Sequence, residues 1–356
     1  MKQKKIRVAI AGLGNCAGSL IEGLFYYQQN KTTEGLLFPI LAGYSLNNIE
    51  IICAFDISAN KVGKDINKAI YEKPNNFNQI ENVTIPSLGP VFKGPILDGN
   101  PEHLQKFVTE SKEKEVDVAS ILKKYKVDIV LNLLPTGSDE ATEYYGKSAL
   151  TARCAFINCI PTVFAQREEI AKQFKKQKNP LIGDDIKSQI GSTIQHRSVL
   201  QMLKNRGAKI LKSSQINIGG NTDFANFMFR GRTKIASKHK SLRLYIEEGT
   251  PSYIGNYYDP TKAPFKKMLI DVEATVFGGS KVKISILTDS DDKPNAGGSI
   301  VDLIRIAKYE MDKGHGGVIK AACASYMKSA PYPMEDDEAY HLVAKKWGSY
   351  SQRSFT

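Results

Sequence analysis

The sequence predicts an α/β protein in which a parallel sheet carries helices on both faces and a smaller unit with antiparallel strands follows. Three observations support this prediction. Up to about residue 185, apolar runs of strand length alternate with longer amphipathic segments, an order typical of parallel sheets. A glycine-rich turn comes directly after the first run. Beyond about residue 208, long strand-like runs replace that order.

The first unit is defined by five apolar runs separated by amphipathic segments. The apolar runs, which are mainly aliphatic, are the predicted strands at 6–14, 49–56, 127–135, 154–161 and 180–185. The amphipathic segments are the predicted helices at 17–29, 116–126, 140–152 and 163–177. Two stretches are predicted to be irregular, with only short strands in the second: 30–48 and 75–102.

The second unit begins with a long predicted strand at 208–220 and continues with a hairpin over 266–289. Gly278, Gly279 and Ser280 mark its turn. Predicted helices at 297–314 and 317–329 follow, and we expect them to return to the first unit. The tail from residue 332 is polar, and we expect it to be loosely held.

Composition limits the function classes. The chain has 356 residues, enough for two domains, and its 42 % hydrophobic content allows a sizeable core. The formal net charge of +12 suits anionic partners such as nucleic acid, acidic lipid or phosphorylated metabolites. Zinc-finger spacing, RNA-binding signatures and interleaved aromatic and basic residues are missing from the sequence, so we expect no nucleic-acid partner.

Cysteine usage and hydropathy predict a cytoplasmic protein. The five cysteines form no CxxC pair and are odd in number, as in a reduced intracellular protein. The N-terminal MKQKKIRVAIAGLG imitates a signal peptide, but its apolar run is short and breaks at glycine. No stretch approaches the roughly 18 apolar residues of a membrane helix, so we expect no membrane partner.

The glycine-rich turn AIAGLGNCAGS (9–19) is a candidate dinucleotide site. Gly12, Gly14 and Ala17 fit the pattern GxGxxA, with Asn15 and Cys16 between them. Glycines here permit a tight turn and a close approach to a pyrophosphate at the positive end of the following helix. A glycine turn of another α/β fold is the alternative.

Asp56 ends the second predicted strand, where a carboxylate can bind both ribose hydroxyls and repel a 2′-phosphate. This position favours NAD over NADP. Asp56 lies 44 residues beyond Gly12 rather than about 20, and the irregular segment 30–48 can absorb the excess. An ordinary carboxylate at a strand end is the alternative.

The segment LLPTGSDE (133–140) follows the strand at 127–135, at the sheet edge where such folds bind ligands. Thr136, Gly137 and Ser138 could line the nicotinamide side of the site. Ser138 could equally cap the next helix.

The basic run RGRTKIASKHKS (230–241) places Lys234 and Lys238 four residues apart, on one face of a helix. Like charges at this spacing repel each other. A solvated face, nucleic-acid binding or a site that requires fixed positive charge would each account for them.

Several longer motifs now occur together and in order. They are GLGNCAGSL near the N-terminus, GDDIKSQIGSTIQHR (183–197), NIGGNTDFANF (217–227), NAGGSIVD (295–302) and ASYMKSAP (324–331). From about residue 6 to 331 the sequence resembles the myo-inositol-1-phosphate synthase (inositol-3-phosphate synthase) family in its shorter prokaryotic form. These enzymes are intramolecular lyases of the isomerase class that serve inositol and phospholipid biosynthesis.

The resemblance implies a Rossmann-type NAD-binding domain with an inserted α+β domain for catalysis and oligomerisation. The NAD-binding domain would comprise 1–200 and 297–356, and the inserted domain 201–296. It also implies a homotetramer that converts D-glucose 6-phosphate to 1D-myo-inositol 3-phosphate. The steps would be oxidation at C5, enolisation, intramolecular aldol closure and reduction of C5, with lysines stabilising the oxyanions.

The family's active-site lysines correspond to Lys234, Lys238, Lys266 and Lys328. Lys234 would polarise the C5 oxygen, Lys266 and Lys328 would stabilise oxyanion or phosphate charge, and Lys238 would lie near the phosphate. The neighbouring Lys267 leaves the assignment of Lys266 ambiguous by one residue.

Polar residues complete the site that the resemblance implies. Asp185, Asp223 and Asp292 are expected with the catalytic lysines, and Asp184 with the cofactor. Substrate or phosphate would be bound by Ser188, Gln189, Asn217 and Asn221. Asp223 could instead cap a helix.

Two alternatives remain at this point. A diverged relative could be an NAD-dependent dehydrogenase, or a cyclase of another sugar phosphate. Some prokaryotic family members use a divalent ion near the nicotinamide or substrate phosphate, so Mg²⁺ or Zn²⁺ is an open possibility for which the sequence identifies no ligands.

Overall fold

A computed structural model describes residues 4–348 of the chain. Its strands are β1 (Ile6–Ala11), β2 (Ile49–Asp56), β3 (Val91–Lys93), β4 (Ile129–Asn132), β5 (Ala155–Asn158), β6 (Pro180–Ile182), β7 (Lys209–Gly219), β8 (Ser252–Tyr258), β9 (Lys266–Thr275), β10 (Lys281–Ser290) and β11 (Gly317–Val318). Its helices are α1 (Asn15–Asn30), α2 (Ile66–Ala69), α3 (Glu102–Gln105), α4 (Val118–Lys124), α5 (Asp139–Thr151), α6 (Glu168–Lys176), α7 (Ser192–Asn205), α8 (Thr222–Arg230), α9 (Arg232–Leu242), α10 (Asp292–Asp312), α11 (Lys320–Tyr326) and α12 (Asp336–Trp347).

The larger sheet has the strand order β11-β6-β5-β4-β1-β2-β3, and all of its strands are parallel. This confirms the predicted α/β class. Strand β1 shows how the sheet builds two cores. Val8 and Ile10 face the cluster formed with α1 and α10, whereas Ala9 and Ala11 face the cluster formed with α4, α5 and α6. Because both faces are buried, the strands appear in the sequence as unbroken apolar runs.

The smaller sheet has the order β10-β9-β7-β8. The predicted hairpin is confirmed: β9 and β10 pair antiparallel, and Gly278 and Gly279 take positive φ values of 66° and 77° in its turn. The antiparallel expectation is incomplete, since β8 pairs parallel to β7. A parallel neighbour requires a crossover, and α8 and α9 provide it.

Helix α10 begins at Asp292, five residues before the predicted start. The side chain of Asp291 accepts a hydrogen bond from the backbone N–H of Lys293 and caps the helix there. The proposed domain boundaries at 200/201 and 296/297 therefore fall inside α7 and α10. The division into domains stays a prediction.

The expectation of a loosely held tail is wrong, because residues 336–347 form helix α12. Ala339, Val343 and Trp347 recur every four residues and are buried. The Trp347 Nε1–H donates to Glu310 Oε1 at 2.7 Å. Only this narrow stripe is buried, and five of the twelve residues of the helix are charged, so the composition of the segment resembles that of a solvated tail.

Within residues 4–348, no helix is both long and apolar enough to cross a membrane.

Candidate active site

One cavity lies between the carboxyl edge of the larger sheet and the elements around the smaller one. The glycine turn and the ends of β2 and β4 form its first wall. The second wall is formed by α8, α9, β9, the start of α10 and the segment after α11. We call these the loop wall and the lysine wall.

On the loop wall, Gly12 has φ +89°, and a Cβ there would lie 2.7 Å from the Leu133 carbonyl oxygen. Gly14 precedes α1 and makes no side-chain capping bond, so the first-turn N–H groups are left without that partner. Gly14, Asn15 and Cys16 line the cavity. Burial raises the pKa of the Cys16 thiol to about 12, which keeps it protonated.

Ala17, the last residue of the glycine motif, is fully buried below the turn and does not line the cavity.

Asp56 also lines the cavity, at the end of β2. Its Oδ2 accepts the Leu13 N–H at 3.0 Å, and its Oδ1 accepts the N–H groups of Ile57 and Ser58 at 2.8 and 2.9 Å. The carboxylate therefore fixes the glycine turn against β2.

Thr136 reaches the cavity, but Gly137 and Ser138 do not. The Gly137 carbonyl accepts a hydrogen bond from the Arg230 guanidinium. Ser138 precedes α5, yet its hydroxyl makes no capping bond. The carboxylate of Asp98 accepts the first N–H groups of that helix instead. Both the capping alternative and a direct lining role are therefore wrong for Ser138.

The four predicted lysines converge on the lysine wall. Lys234 and Lys238 lie one turn apart on α9, Lys266 begins β9, and Lys328 follows α11. The pleat of β9 places only one of the two neighbouring lysines in the cavity. Lys266 is buried on the cavity side, whereas Lys267 lies on the opposite face, 3.9 Å from Asp289.

Asp185 lies behind two of these lysines and is fully buried. One of its oxygens is 2.7 Å from Lys234 Nζ and 3.0 Å from Lys328 Nζ, and the other accepts the Ser237 hydroxyl at 2.6 Å. Burial alone would raise the pKa of this carboxyl, but the two ammonium groups lower it well below its usual range. Asp185 does not line the cavity, so it positions the lysines rather than touching a ligand.

The lysines differ in proton affinity. Burial opposes protonation of Lys234, but Asp185 and Asp223 outweigh it and raise its pKa above the usual value. Burial together with the neighbouring ammoniums lowers the pKa of Lys328 to about 8, although Asp185 opposes this. Burial and the charges of Lys266, Lys328 and Lys234 hold the pKa of Lys238 well below its usual value.

Two further carboxylates open onto the cavity. Asp292, in the first turn of α10, pairs with Lys266. Burial would raise its pKa, but Lys266 more than compensates and lowers it. Asp223 is in the first turn of α8 and is open to the cavity, and desolvation by the surrounding cavity walls raises the pKa of its carboxyl. The cap of α8 is Asn221, whose side chain accepts the Phe224 N–H at 3.1 Å, so the capping alternative for Asp223 is wrong.

Ser188 and Asn221 also line the cavity. Ser188 lies beside Gly191 at the start of α7, a helix of 14 residues that has no side-chain cap. Its free first-turn N–H groups and its macrodipole favour an anion at this position.

Three further predicted residues do not line the cavity either. Buried Asp184 accepts the N–H groups of Phe164 and Ala165. Gln189 donates from its side chain to the Gly35 carbonyl at 2.8 Å, because it lies on the far side of the turn from Ser188. Asn217 is fully buried behind Asn256.

Comparison with known proteins identifies the family of this chain. Residues 191–293 match the sequence profile of the family described as myo-inositol-1-phosphate synthase. The inositol-3-phosphate synthase of Corynebacterium glutamicum is 37 % identical, and the match covers 95 % of this chain and 97 % of that protein. The chain belongs to the inositol-3-phosphate synthase family. Family membership makes it an isomerase-class enzyme of inositol biosynthesis.

Two further matches are similar in extent. The inositol-3-phosphate synthase of Mycolicibacterium smegmatis is 36 % identical, and the match covers 94 % of this chain and 96 % of that one. The crystal structure of Ari2 superposes with a TM-score of 0.78 at 29 % identity, covering 96 % of this chain and 99 % of that chain. The fold of the whole described chain is thus shared with a solved protein.

Several polar cavity residues were not identified from the sequence, and three of them interact with the charged groups of the site. Lys61 and Lys293 both line the cavity and are almost fully buried, and Asn256 accepts a hydrogen bond from Lys238 Nζ at 3.2 Å. Lys293 pairs with Asp291 at 2.7 Å. No local pattern marks these residues, and Asn256 belongs to the unpredicted strand β8.

Among residues 4–348, no group of three or more His, Cys, Asp or Glu side chains is placed to hold a metal ion in this family member. His196 is a structural histidine that does not line the cavity. It is buried, it contacts Ser213 and Gln215, and burial lowers its pKa to about 4.

Proposed function

We propose that the chain cyclises D-glucose 6-phosphate to 1D-myo-inositol 3-phosphate with NAD as a bound redox cofactor. The observation that carries this proposal is the convergence of four lysines opposite a glycine turn in one cavity. Family membership supports the product class.

The residues of the loop wall suit NAD. A Cβ at Gly12 would strike the Leu133 carbonyl, whereas a Cβ at Gly14 would meet nothing within 4 Å. The uncapped start of α1 offers backbone donors to a pyrophosphate, and the carboxylate of Asp56 can accept ribose hydroxyls. When bound, NAD would supply reversible oxidation of a sugar carbinol, so that the reaction consumes no net cofactor.

Lys234 is the proposed electrophile at the C5 oxygen. Its raised pKa keeps it protonated, and Asp185 fixes its position at 2.7 Å. A preorganised ammonium of this kind stabilises negative charge that develops on a carbonyl oxygen.

Lys266 and Lys328 are proposed to stabilise the remaining oxyanion and phosphate charge, with Lys238 and Ser188 near the phosphate. The low pKa values of Lys238 and Lys328 arise mainly from burial, and repulsion from neighbouring ammonium groups lowers them further. A phosphate dianion relieves that repulsion and raises both pKa values. Substrate binding would thus charge the amines that hold it.

The experiment is to mix the protein with glucose 6-phosphate and NAD, with and without Mg²⁺ or Zn²⁺. Absorbance at 340 nm and phosphorus and proton NMR would follow the reaction. Inositol phosphate without lasting NADH is the expected result. Steady growth of NADH would show a plain dehydrogenase, and no product from glucose 6-phosphate would direct the search to another sugar phosphate.

We further propose that the enzyme is a homotetramer assembled through the outer face of the smaller sheet. Leu269 of β9 lies between Ile216 of β7 and Leu287 of β10 on this face, and Leu287 is 65 % exposed. Light scattering should show that Leu287→Lys dissociates the assembly. Met202→Lys, an exposed position on α7, should leave it intact.

A further inference from the structure

The glycine turn is held by a polar cage formed from Asp56, Lys61 and Asn75. Lys61 is 3 % exposed, and its ammonium donates to the Leu13 carbonyl at 2.8 Å and to Asn75 Oδ1 at 2.9 Å. The Asn75 amide donates to the same carbonyl at 3.1 Å. Lys61 Nζ is also 3.7 Å from Asp56 Oδ2.

Asp56 and Lys61 both line the cavity, so a ligand at the end of β2 meets the two charges together. Their formal charges cancel. The sequence interpretation, in which Asp56 repels a 2′-phosphate, assumes an uncompensated carboxylate. Here the nearby buried ammonium attracts a 2′-phosphate and offsets that repulsion. Because Coulomb interactions decay slowly over a few ångströms, a phosphate near one group also feels the other.

Asp56 can still accept a hydrogen bond from a ligand. Its two oxygens accept three backbone N–H groups, whereas a carboxylate offers about four acceptor positions. A ribose hydroxyl can still be accepted. The pair therefore retains recognition of the ribose while much of its charge discrimination is cancelled.

We propose that Lys61 is a specificity-determining residue for the dinucleotide. The choice between NAD and NADP depends on the Asp56–Lys61 pair as a unit, and Lys61 makes discrimination against the 2′-phosphate weaker than Asp56 alone would impose. This inference rests on the cofactor part of the proposed function and not on the cyclisation.

The test measures the dissociation constants of NAD and NADP by calorimetry for four proteins: the native chain, Lys61→Met, Asp56→Asn and the double variant. Met keeps most of the lysine stem but removes the charge. Lys61→Met should raise the NADP-to-NAD ratio of dissociation constants about tenfold, because the carboxylate is then uncompensated. Asp56→Asn should lower the ratio about tenfold, because the ammonium is then unpaired. The double variant should return close to the native ratio.

A merely structural role for Lys61, through the Leu13 carbonyl and Asn75, gives a different result. Lys61→Met would then weaken both dinucleotides equally and leave the ratio unchanged, which would overturn the inference. Asp56→Asn tests the pair in the opposite direction, so a poorly folded Lys61→Met protein does not end the test. An unchanged ratio in Asp56→Asn also contradicts the proposal.

Lys64→Met is the matched control. Lys64 is three residues away, pairs with Glu72 and does not line the cavity, so its loss should leave the ratio unchanged. A similar shift in this variant would show a general charge effect and overturn the assignment to Lys61. Failure of the native chain to bind either dinucleotide would overturn both this inference and the cofactor proposal. NAD binding without cyclisation would contradict only the proposed reaction.

Discussion

The two walls of the cavity are built in different ways. The loop wall takes its binding groups mainly from one short stretch, Gly12 to Cys16, and uses backbone N–H groups set by local geometry. The lysine wall gathers side chains from α8, α9, β9, α10 and the segment after α11. Asp185, from yet another segment, holds two of its lysines.

This difference affects how the walls respond to change. Backbone dipoles keep their strength when a distant side chain is altered. The lysines instead set one another's pKa values, since Lys238 and Lys328 are shifted by their neighbours and Lys234 depends on Asp185. We therefore expect a substitution on the lysine wall to change the pKa values of the other lysines and to leave the affinity for the dinucleotide unchanged.

The largest expected effect is that of Lys234→Met. Removing the proposed electrophile should lower kcat by about 10²–10³-fold, the usual cost of losing one oxyanion donor. The dissociation constant of NAD should stay within about twofold of the native value, because the loop wall does not depend on this side chain. Steady-state kinetics and calorimetry would measure both.

Lys240→Met is the control for that variant, since Lys240 lies on the same helix but does not line the cavity. Native turnover is expected. Loss of NAD affinity in Lys234→Met would show that the two walls are coupled and would contradict their independence.

Asp185→Asn should shift the pH dependence of kcat/KM. The carboxylate raises the pKa of both Lys234 and Lys328, the latter being about 8 in its presence. With a neutral amide both pKa values fall, so the ammonium forms are lost at lower pH and the alkaline limb should move down by about one pH unit or more. Asp289→Asn, on the far face of the smaller sheet, should leave the limb in place. An unmoved limb in Asp185→Asn would contradict the assigned coupling.

Gly12→Ala should affect only the loop wall. The added Cβ would lie 2.7 Å from the Leu133 carbonyl at a φ of +89°, so the turn must shift. We expect NAD affinity to fall about tenfold, with the pH limb of the lysine wall unchanged wherever turnover can still be measured. Gly23→Ala, inside α1 with no atom within 4 Å of its new Cβ, should instead stabilise the protein by about 0.5–1 kcal/mol. A Gly12→Ala variant that binds NAD as tightly as the native chain would contradict this prediction.

The smallest expected effect on the site is that of Val343→Ala in α12, which belongs to neither wall. Loss of buried methyl groups should lower the free energy of unfolding by about 1–2.5 kcal/mol in urea titration. NAD affinity and the pH limb should not move. Leu342→Ala, at a partly exposed neighbouring position, should cost about 0.5 kcal/mol or less. Equal losses of unfolding free energy in the two variants would show that α12 does not pack into the core.

The parallel sheet and the glycine turn could be predicted because each is encoded over a short stretch of chain. A strand buried on both faces requires a continuous apolar run, and a tight turn of the GxGxxA type requires small residues at fixed, closely spaced positions. The family motifs likewise identified the four lysines, all of which the structure places at one cavity. The missed elements, β8 and α12, have mixed composition, and their apolar residues are recognisable only once their packing partners are in place.

Adjacent residues show most clearly what the sequence by itself did not determine. Asp184 and Asp185 are neighbours, yet the first binds backbone N–H groups in the interior and the second holds two of the cavity lysines. Ser188 faces the cavity while Gln189 turns towards Gly35. Motif matching assigned both members of each pair to the site, since it records residue type and order but not direction.

The sequence alone therefore determined the fold class, the glycine turn and the identity of the lysines, because each depends on contiguous or family-specific residues. The tertiary structure alone decided which side chains share the cavity and which charges are paired. Lys61 reaches the Leu13 carbonyl from 48 residues away, and Asp185 reaches Lys234 and Lys328 from 49 and 143 residues away. Coulomb interactions depend on distance in space and on burial, and neither can be read from positions along the chain.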